Sequence, residues 1–260
     1  MFAKAVRVFL FLVAIGPTVS ATAGVLRDDK GDGEWEIILA PYLWGASMDG
    51  TAGFGPAELP VEASFGDILD KLNMGLSLHT EFHRGKWALV IDPTYLSLEV
   101  EVDTGTPVAP KADIDIWLVE VWGSYKFIDH WEALVGARYQ DQEIEVSGLG
   151  VVPAPSPPAA PGTFFPDPAK LSDNWVDWFA GVRFMYSLGE RWIVTGRGDI
   201  SFAGDSDSGY NVELFFNRRI RKTMAINLGY RFLSTDYDNL PTYALDVEQQ
   251  GFVVGYTWAF

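Results

Sequence analysis

The sequence predicts an all-β protein: a transmembrane, antiparallel, up-and-down β-barrel of ten strands. Three observations carry this expectation. From Phe252 to Phe260, Phe252, Val254, Tyr256, Trp258 and Phe260 fall on one face of a strand, and Val253, Gly255, Thr257 and Ala259 on the other. An aromatic outer face over a small-residue inner face suits a strand between hydrocarbon and a lumen. Next, Gly33-Glu34-Trp35, Gly85-Lys86-Trp87, Asp129-His130-Trp131 and Glu190-Arg191-Trp192 each place a polar turn directly before a Trp that opens an alternating run. Lastly, aromatic residues make up 14% of the chain, yet no long apolar run follows Ile15, so a membrane crossing has to be made by a closed barrel.

The elements follow in order. Lys4 and Arg7 make a short basic region, Val8 to Ile15 an apolar stretch broken by Gly16-Pro17, and Ala21-Thr22-Ala23 an A-x-A cleavage site. This reads as a signal peptide over 1–23, leaving 24–260 as the barrel domain. The apolar stretch falls well short of the roughly 20 residues that span a bilayer. With the Trp-led turns as one set of strand ends, strands are expected at about 34–47, 73–84, 87–102, 112–127, 131–146, 173–188, 192–203, 209–220, 223–236 and 247–260. Misreading the first or third long loop would make the count eight or twelve. The turns at the Trp end are short and the other connections longer. In two strands a Tyr follows the Trp eight residues on, Trp87 to Tyr95 and Trp131 to Tyr139. Tilted by about 40°, that run rises roughly 20 Å, close to the height of a lipid-facing band. Asp92 to Val102 and Ile114 to Val121 change parity partway, which predicts bulges or segments above the membrane.

Two loops are distinctive. In the first, Ser64 and Asp67 form a capping-box start, and Phe65, Ile68, Leu69 and Leu72 recur at helical spacing. A short amphipathic helix is expected there, over the barrel mouth or on the membrane surface. The loop at about 148–170 holds seven of the chain's 15 prolines, from Pro153 to Pro168, and is expected to be extended coil.

The terminal strand resembles the C-terminal signature of Gram-negative outer-membrane β-barrel proteins, in which assembly machinery reads the last aromatic. The resemblance implies that Tyr256, Trp258 and Phe260 are an assembly signal, that the short turns are periplasmic and the long loops extracellular, and that the protein sits in the cell outer membrane. Pro41-Tyr42-Leu43-Trp44, Asp49-Gly50-Thr51 and the stretch from Val61 to Leu72 look like a mostly uncharacterised family of small porin-like barrels of that membrane. That likeness covers roughly the first hundred residues plus the last strand, and it implies a fold without a chemistry.

Composition narrows the function. The net charge is −16, and loss of Lys4 and Arg7 with the signal makes it −16 − 2 = −18, which argues against a nucleic-acid partner. With no cysteine there is neither disulfide nor thiolate chemistry. No cofactor is implied. Enzymatic barrels resembling outer-membrane aspartyl-type proteases, or those that modify lipid A, need a His near the outer end. Here His79 and His83 lie low on their strand and His130 sits in a periplasmic turn, so an enzyme is not expected.

Strand alternation assigns the candidate site. His79, Glu81, His83, Asp92, Glu120, Glu132, Arg138, Asp177, Arg183, Arg197, Asp199, Glu213, Arg219 and Arg231 should face the lumen, with Glu36 and Lys126 near its rim. Such a set can line a narrow polar path or pair into a plug. His79-x-Glu81-x-His83 is not read as a metal site, because on a strand the two His are about 13 Å apart. A His bonded to a lumen carboxylate is expected instead. Asp113, Asp115, Asp141, Asp205, Asp207, Asp236 and Asp238 gather at the outer end as an acidic mouth. The expected function is therefore a porin-like narrow channel for small solutes with cation preference. The alternative is a closed barrel whose acidic loops contact lipopolysaccharide, divalent cations or a partner.

Overall fold

The computed structural model describes residues 33–54, 57–101, 111–147, 169–239 and 243–260. The signal-peptide stretch and most of the proline-rich loop lie outside them. Ten strands close a barrel: β1 (Glu36–Phe54), β3 (Leu72–Arg84), β4 (Trp87–Glu101), β5 (Lys111–Ile128), β6 (Trp131–Ser147), β7 (Ala169–Ser187), β8 (Trp192–Gly204), β9 (Ser208–Arg221), β10 (Met224–Asn239) and β11 (Tyr243–Ala259). Each pairs antiparallel with its neighbour in sequence, and β11 returns to β1 from Ile38↔Ala259 to Gly53↔Ala244. Closure leaves the wall few free edges. An additional short strand, β2 (Ala57–Ala63), pairs only with the outer half of β1 and leads into α1 (Phe65–Asp70).

The short turns form as the sequence predicts. Gly85 in the β3–β4 turn has φ 59°, and His130 in the β5–β6 turn has φ 72°. A non-glycine residue in this left-handed region needs local support. His130 receives it from β7, where its carbonyl accepts from the Met185 amide at 2.9 Å and its Nδ1 contacts the Met185 carbonyl at 3.0 Å. Trp35, Trp87, Trp131 and Trp192 stand exposed on the outer wall at this end. Arg84 lies 5.5 Å over the Trp35 ring and Arg218 5.5 Å over Trp192. At the other edge of the apolar belt, Tyr95 packs on Trp117 at 4.7 Å and Tyr230 on Phe252 at 5.4 Å.

Above that second girdle the wall continues, and the expected strand ends fall short. β1 runs on to Phe54, β7 begins at Ala169, β10 reaches Asn239 and β11 begins at Tyr243. The β8–β9 connection shrinks accordingly to three residues, 205–207. The apparent parity changes are neither slips nor bulges. Pairing of β4 with β5 is continuous from Trp87↔Tyr125 to Glu101↔Lys111. What changes is which side is apolar. Along β6 the outward residues are Trp131, Ala133, Val135, Ala137 and Tyr139, then Asp141, Glu143 and Glu145. Past Tyr139 the charged residues move to the outer face and apolar residues appear on the inner one. The result is an outer collar with its own core: Ala52, Trp175, Tyr237, Tyr243, Leu245 and Val247, with Met48, Val61 and Leu171 against it. Trp175 and Tyr237 stack at 4.3 Å with planes 10° apart.

Candidate functional site

Alternation along the ten strands points the predicted charged residues into the bore, where they form two connected layers. The middle layer is centred on Glu120 of β5, which is 0% exposed. Its Oε1 accepts from Arg138 (Nε at 2.8 Å, Nη2 at 2.7 Å) and from Arg197 Nη2 at 3.1 Å; its Oε2 accepts from Arg231 Nη2 at 2.8 Å. Asp199 lies 2.8 Å from Arg138 and 2.7 Å from Arg197, and Glu213 lies 3.3 Å from Arg231 Nε. Three guanidiniums therefore face three carboxylates, drawn from β5, β6, β8, β9 and β10, and their formal charges cancel. Asn211 ties them together, donating to Asp199 at 3.0 Å and to Glu213 at 3.1 Å while accepting from Arg231 at 3.1 Å.

Aromatic rings fill the space between these ions. Arg197 lies 4.0 Å over Trp122, Arg138 4.9 Å over Phe179 and Arg231 4.8 Å over Trp44, distances within cation–π range. Trp122 fits because its cross-strand partner is Gly136: a Cβ there would lie 2.4 Å from the Trp122 Cβ. Trp122 is 2% exposed and Phe179 0%, so both rings are packed among the ions.

The second layer lies nearer the Trp-led turns. Arg183 of β7 donates to Glu81 of β3 at 2.9 Å and to Glu132 of β6 at 2.7 Å. Glu132 also accepts from Ser124 at 2.8 Å. His79 contacts Asp92 through Nδ1 at 2.7 Å and Glu81 through Nε2 at 2.8 Å, while His83 Nε2 reaches the other Glu81 oxygen at 2.5 Å. Both ring nitrogens of His79 thus face carboxylate oxygens, which accept unless protonated. Tyr42 of β1 completes the bridge, donating to Asp92 at 2.7 Å. Strand spacing sets His79 and His83 on either side of Glu81, each bonded to it. Below the middle layer a cavity of about 180 Å³ runs down to Glu36, Lys126 and His130 at the rim. Its charged side includes His79, Glu81 and Arg183, and its apolar side Ile38, Phe215 and Val253. Thr257 donates to Asn227, Asn227 to Asn217 and Asn217 to Thr195, a ladder along its wall.

Not every predicted residue joins these layers. Asp177 sits directly across from Arg138 in the β6–β7 register, yet both its oxygens are taken by Ser206, from the amide at 2.9 Å and the hydroxyl at 2.6 Å. It ties down the β8–β9 connection. Arg219 faces the bore half-buried near the Trp-led turns. The acids named as a mouth divide in two. Asp113, Asp115, Asp141 and Asp236 lie on the collar's outer wall, where Asp115 accepts from the lipid-facing Tyr95 at 2.7 Å. Asp205 and Asp207 belong to the β8–β9 connection, and Asp238 ends β10 on the exposed side. Tyr256, Trp258 and Phe260 face outward on the last strand, with Tyr256 and Trp258 rings 4.4 Å apart. Sequence reasoning overlooked Tyr42, Trp44, Trp122, Phe179 and Asn211. The signal for Asn211 and Trp122 was available, since each lies two residues along a strand from a predicted lumen carboxylate.

No family model matches the chain, and neither does any curated protein. Among solved structures it is similar to Ail, the attachment invasion locus protein of Yersinia pestis, at 10% identity and a TM-score of 0.40, over 88% of this chain and 99% of that one. It is also similar to a FadL homologue of Pseudomonas aeruginosa (9%, TM-score 0.36, 86% and 90% covered) and to the translocator domain of the autotransporter NalP from Neisseria meningitidis (12%, 0.37, 90% and 90%). At such scores these likenesses carry no argument about function, and the barrel rests on its own strand pairing.

Proposed function

We propose that this protein is an outer-membrane barrel of a Gram-negative cell whose bore is closed by its own side chains, leaving a blind cavity toward the periplasm and an acidic collar outside. The observation that carries this reading is the middle layer, where fully buried Glu120 holds three guanidiniums between aromatic rings. Above it the apolar core of the collar is a second closure. The export signal, the apolar belt between two girdles and the aromatic last strand support the location. The same features favour lipid, lipopolysaccharide and the assembly machinery as partners. The collar's outward acids sit where bridging divalent ions would meet lipid phosphates. No catalytic role is assigned.

Planar-bilayer recording tests this. The folded wild-type protein gives no discrete conductance steps, and Glu120→Ala combined with Trp122→Ala produces them. Regular steps from the wild type would refute closure. They would instead favour the second reading, a narrow path for small solutes, which the charged cavity walls support, with the cation preference resting on the outer acids.

A further inference from the structure

The seam between β1 and β3 is interrupted. The two strands pair from Glu36↔His83 only as far as Tyr42↔Ser77, and β1 pairs with β2 from Met48↔Ala63 onward. Residues 43–47 of β1 have no strand partner on that side. Over this stretch lies α1. The ring of Phe65 takes the place of a side chain at Gly45, where a Cβ would stand 3.0 Å from the ring. Alternation turns that face of Gly45 outward, so α1 lies on the outer wall and not over the mouth. Register also gives its height: Gly45 pairs with Phe252, which packs on Tyr230 in the outer girdle.

The helix carries an unsatisfied surface at that height. No residue of α1 is buried, and Phe65 and Leu69 are 48% and 53% exposed. Two residues from Gly45 on the same face of β1, Leu43 is 67% exposed and pairs with Val254, itself 53% exposed on the apolar belt; Met74 and Leu76 on the outer face of β3 are 52% and 62% exposed. Asp67 and Asp70 fall on the helix's other side, with Lys71 as its C-cap, while Ile68 joins the apolar face. The ends are tethered: Ser64 and Asp67 complete a capping box, and the Lys71 carbonyl accepts from the Glu99 amide of β4 at 3.0 Å.

We infer that α1 is a membrane-surface strap, with Phe65 and Leu69 seated in the lipid of the outer leaflet at the headgroup boundary and covering the unpaired stretch of β1. The occupant is lipid because the patch continues the belt that lipid already covers, and because the apolar and charged positions divide as at a bilayer surface. This rests on the membrane reading above.

The chain has no cysteine, so single substitutions give unambiguous labels. Leu69→Cys, Asp70→Cys, Leu228→Cys and Ser206→Cys, each carrying a small fluorophore, are folded into phosphatidylcholine vesicles containing lipids brominated near the headgroup or mid-chain. Folding of each is checked by its heat-modifiable band. Label at Leu69 loses fluorescence to the shallow brominated lipid as fully as label at Leu228 does to the mid-chain one. Labels at Asp70 and Ser206 lose it to aqueous iodide. A Leu69 label quenched by iodide and untouched by lipid overturns the strap, as does a Leu69→Cys disulfide dimer, which would make a second copy the occupant. Should Leu228 itself escape lipid quenching, the membrane reading fails first.

Discussion

Glu120→Gln is the most informative single change. The carboxylate is shared by Arg138, Arg197 and Arg231, with contacts of 2.7–3.1 Å, and no water reaches it. The amide that replaces it offers one acceptor oxygen and turns an N–H₂ toward a guanidinium. Asp199 and Glu213 then face three buried cations alone. Removing one member of a buried ion network costs about 3–5 kcal/mol, because the partners keep an uncompensated desolvated charge. At roughly 1.4 kcal/mol per tenfold, the folding equilibrium falls by about two to three and a half orders of magnitude. Urea unfolding in detergent micelles, followed by tryptophan fluorescence, measures this. The double variant Glu120→Met, Arg231→Met should cost less than the sum of its single changes, since each removes the other's orphan. A Glu120→Gln midpoint within about 0.5 kcal/mol of wild type, the range of ordinary surface changes, would refute the closely packed layer.

Four further outcomes follow from other parts of the molecule. Deleting Phe260 should keep the protein from the outer membrane, and normal membrane levels with an intact heat-modifiable shift would count against the assembly signal. A tag inserted at Ser206 or in the proline-rich loop at Ala154 should be accessible on intact cells and one at Gly189 should not; the opposite pattern reverses the orientation. The Asp236 carboxyl is pushed up by partial burial and by Asp246, Asp207 and Asp238. Its charge therefore costs stability at neutral pH, and stability rises as pH falls through its folded pKa toward the unfolded value near 3.9. Asp236→Asn should gain a few tenths of a kcal/mol at pH 7 and flatten that rise, and an unchanged pH profile of unfolding would dismiss the repulsion. At Asp67 the sign is opposite: hydrogen bonds from Ser64 hold its carboxyl below the usual range, so the α1 cap is lost as pH falls through that lowered value. Ser64→Ala should abolish the acid-induced change in fluorescence of a label at Leu69.

The lower half of this barrel was legible because its outer face is apolar or aromatic and its charged residues point inward, although inward rings such as Trp122 and Phe179 depart from the inner half of that rule. Trp-led turns gave the phase, and Glu120, Arg138, Arg183 and Arg231 fell on the correct face from alternation alone. The collar was harder to read because the rule reverses there. Ile114 and Leu245 point inward in the collar, whereas apolar residues at belt height point outward, so continuous strands looked like changes of parity. β2 was hidden by Pro60, which cannot donate to a ladder, although Ala57, Leu59, Val61 and Ala63 alternate with Glu58 and Glu62. Partner choice within the lumen was not legible either. Asp177 stands opposite Arg138 by register, but Ser206, distant in sequence, reaches it first.

The polarity reversal at Tyr139 also sets how each strand can change over evolution. A charged residue is excluded from the outer wall at Val135 and welcome there at Asp141; on the inner wall it is accommodated at Arg138, and beside Trp175 it is held by a bonded partner, as Asp177 is by Ser206 and Asp173 by Tyr237. Along any one strand, the positions free to drift therefore shift phase by a single residue at the water line. A deep mutational scan would show two interleaved combs, one for the lipid and one for the collar, meeting at the outer girdle. The collar comb obeys the ordinary rules of a water-soluble sheet. New outer loops and binding surfaces can thus be grafted onto the collar without renegotiating the part of the wall that lipid constrains.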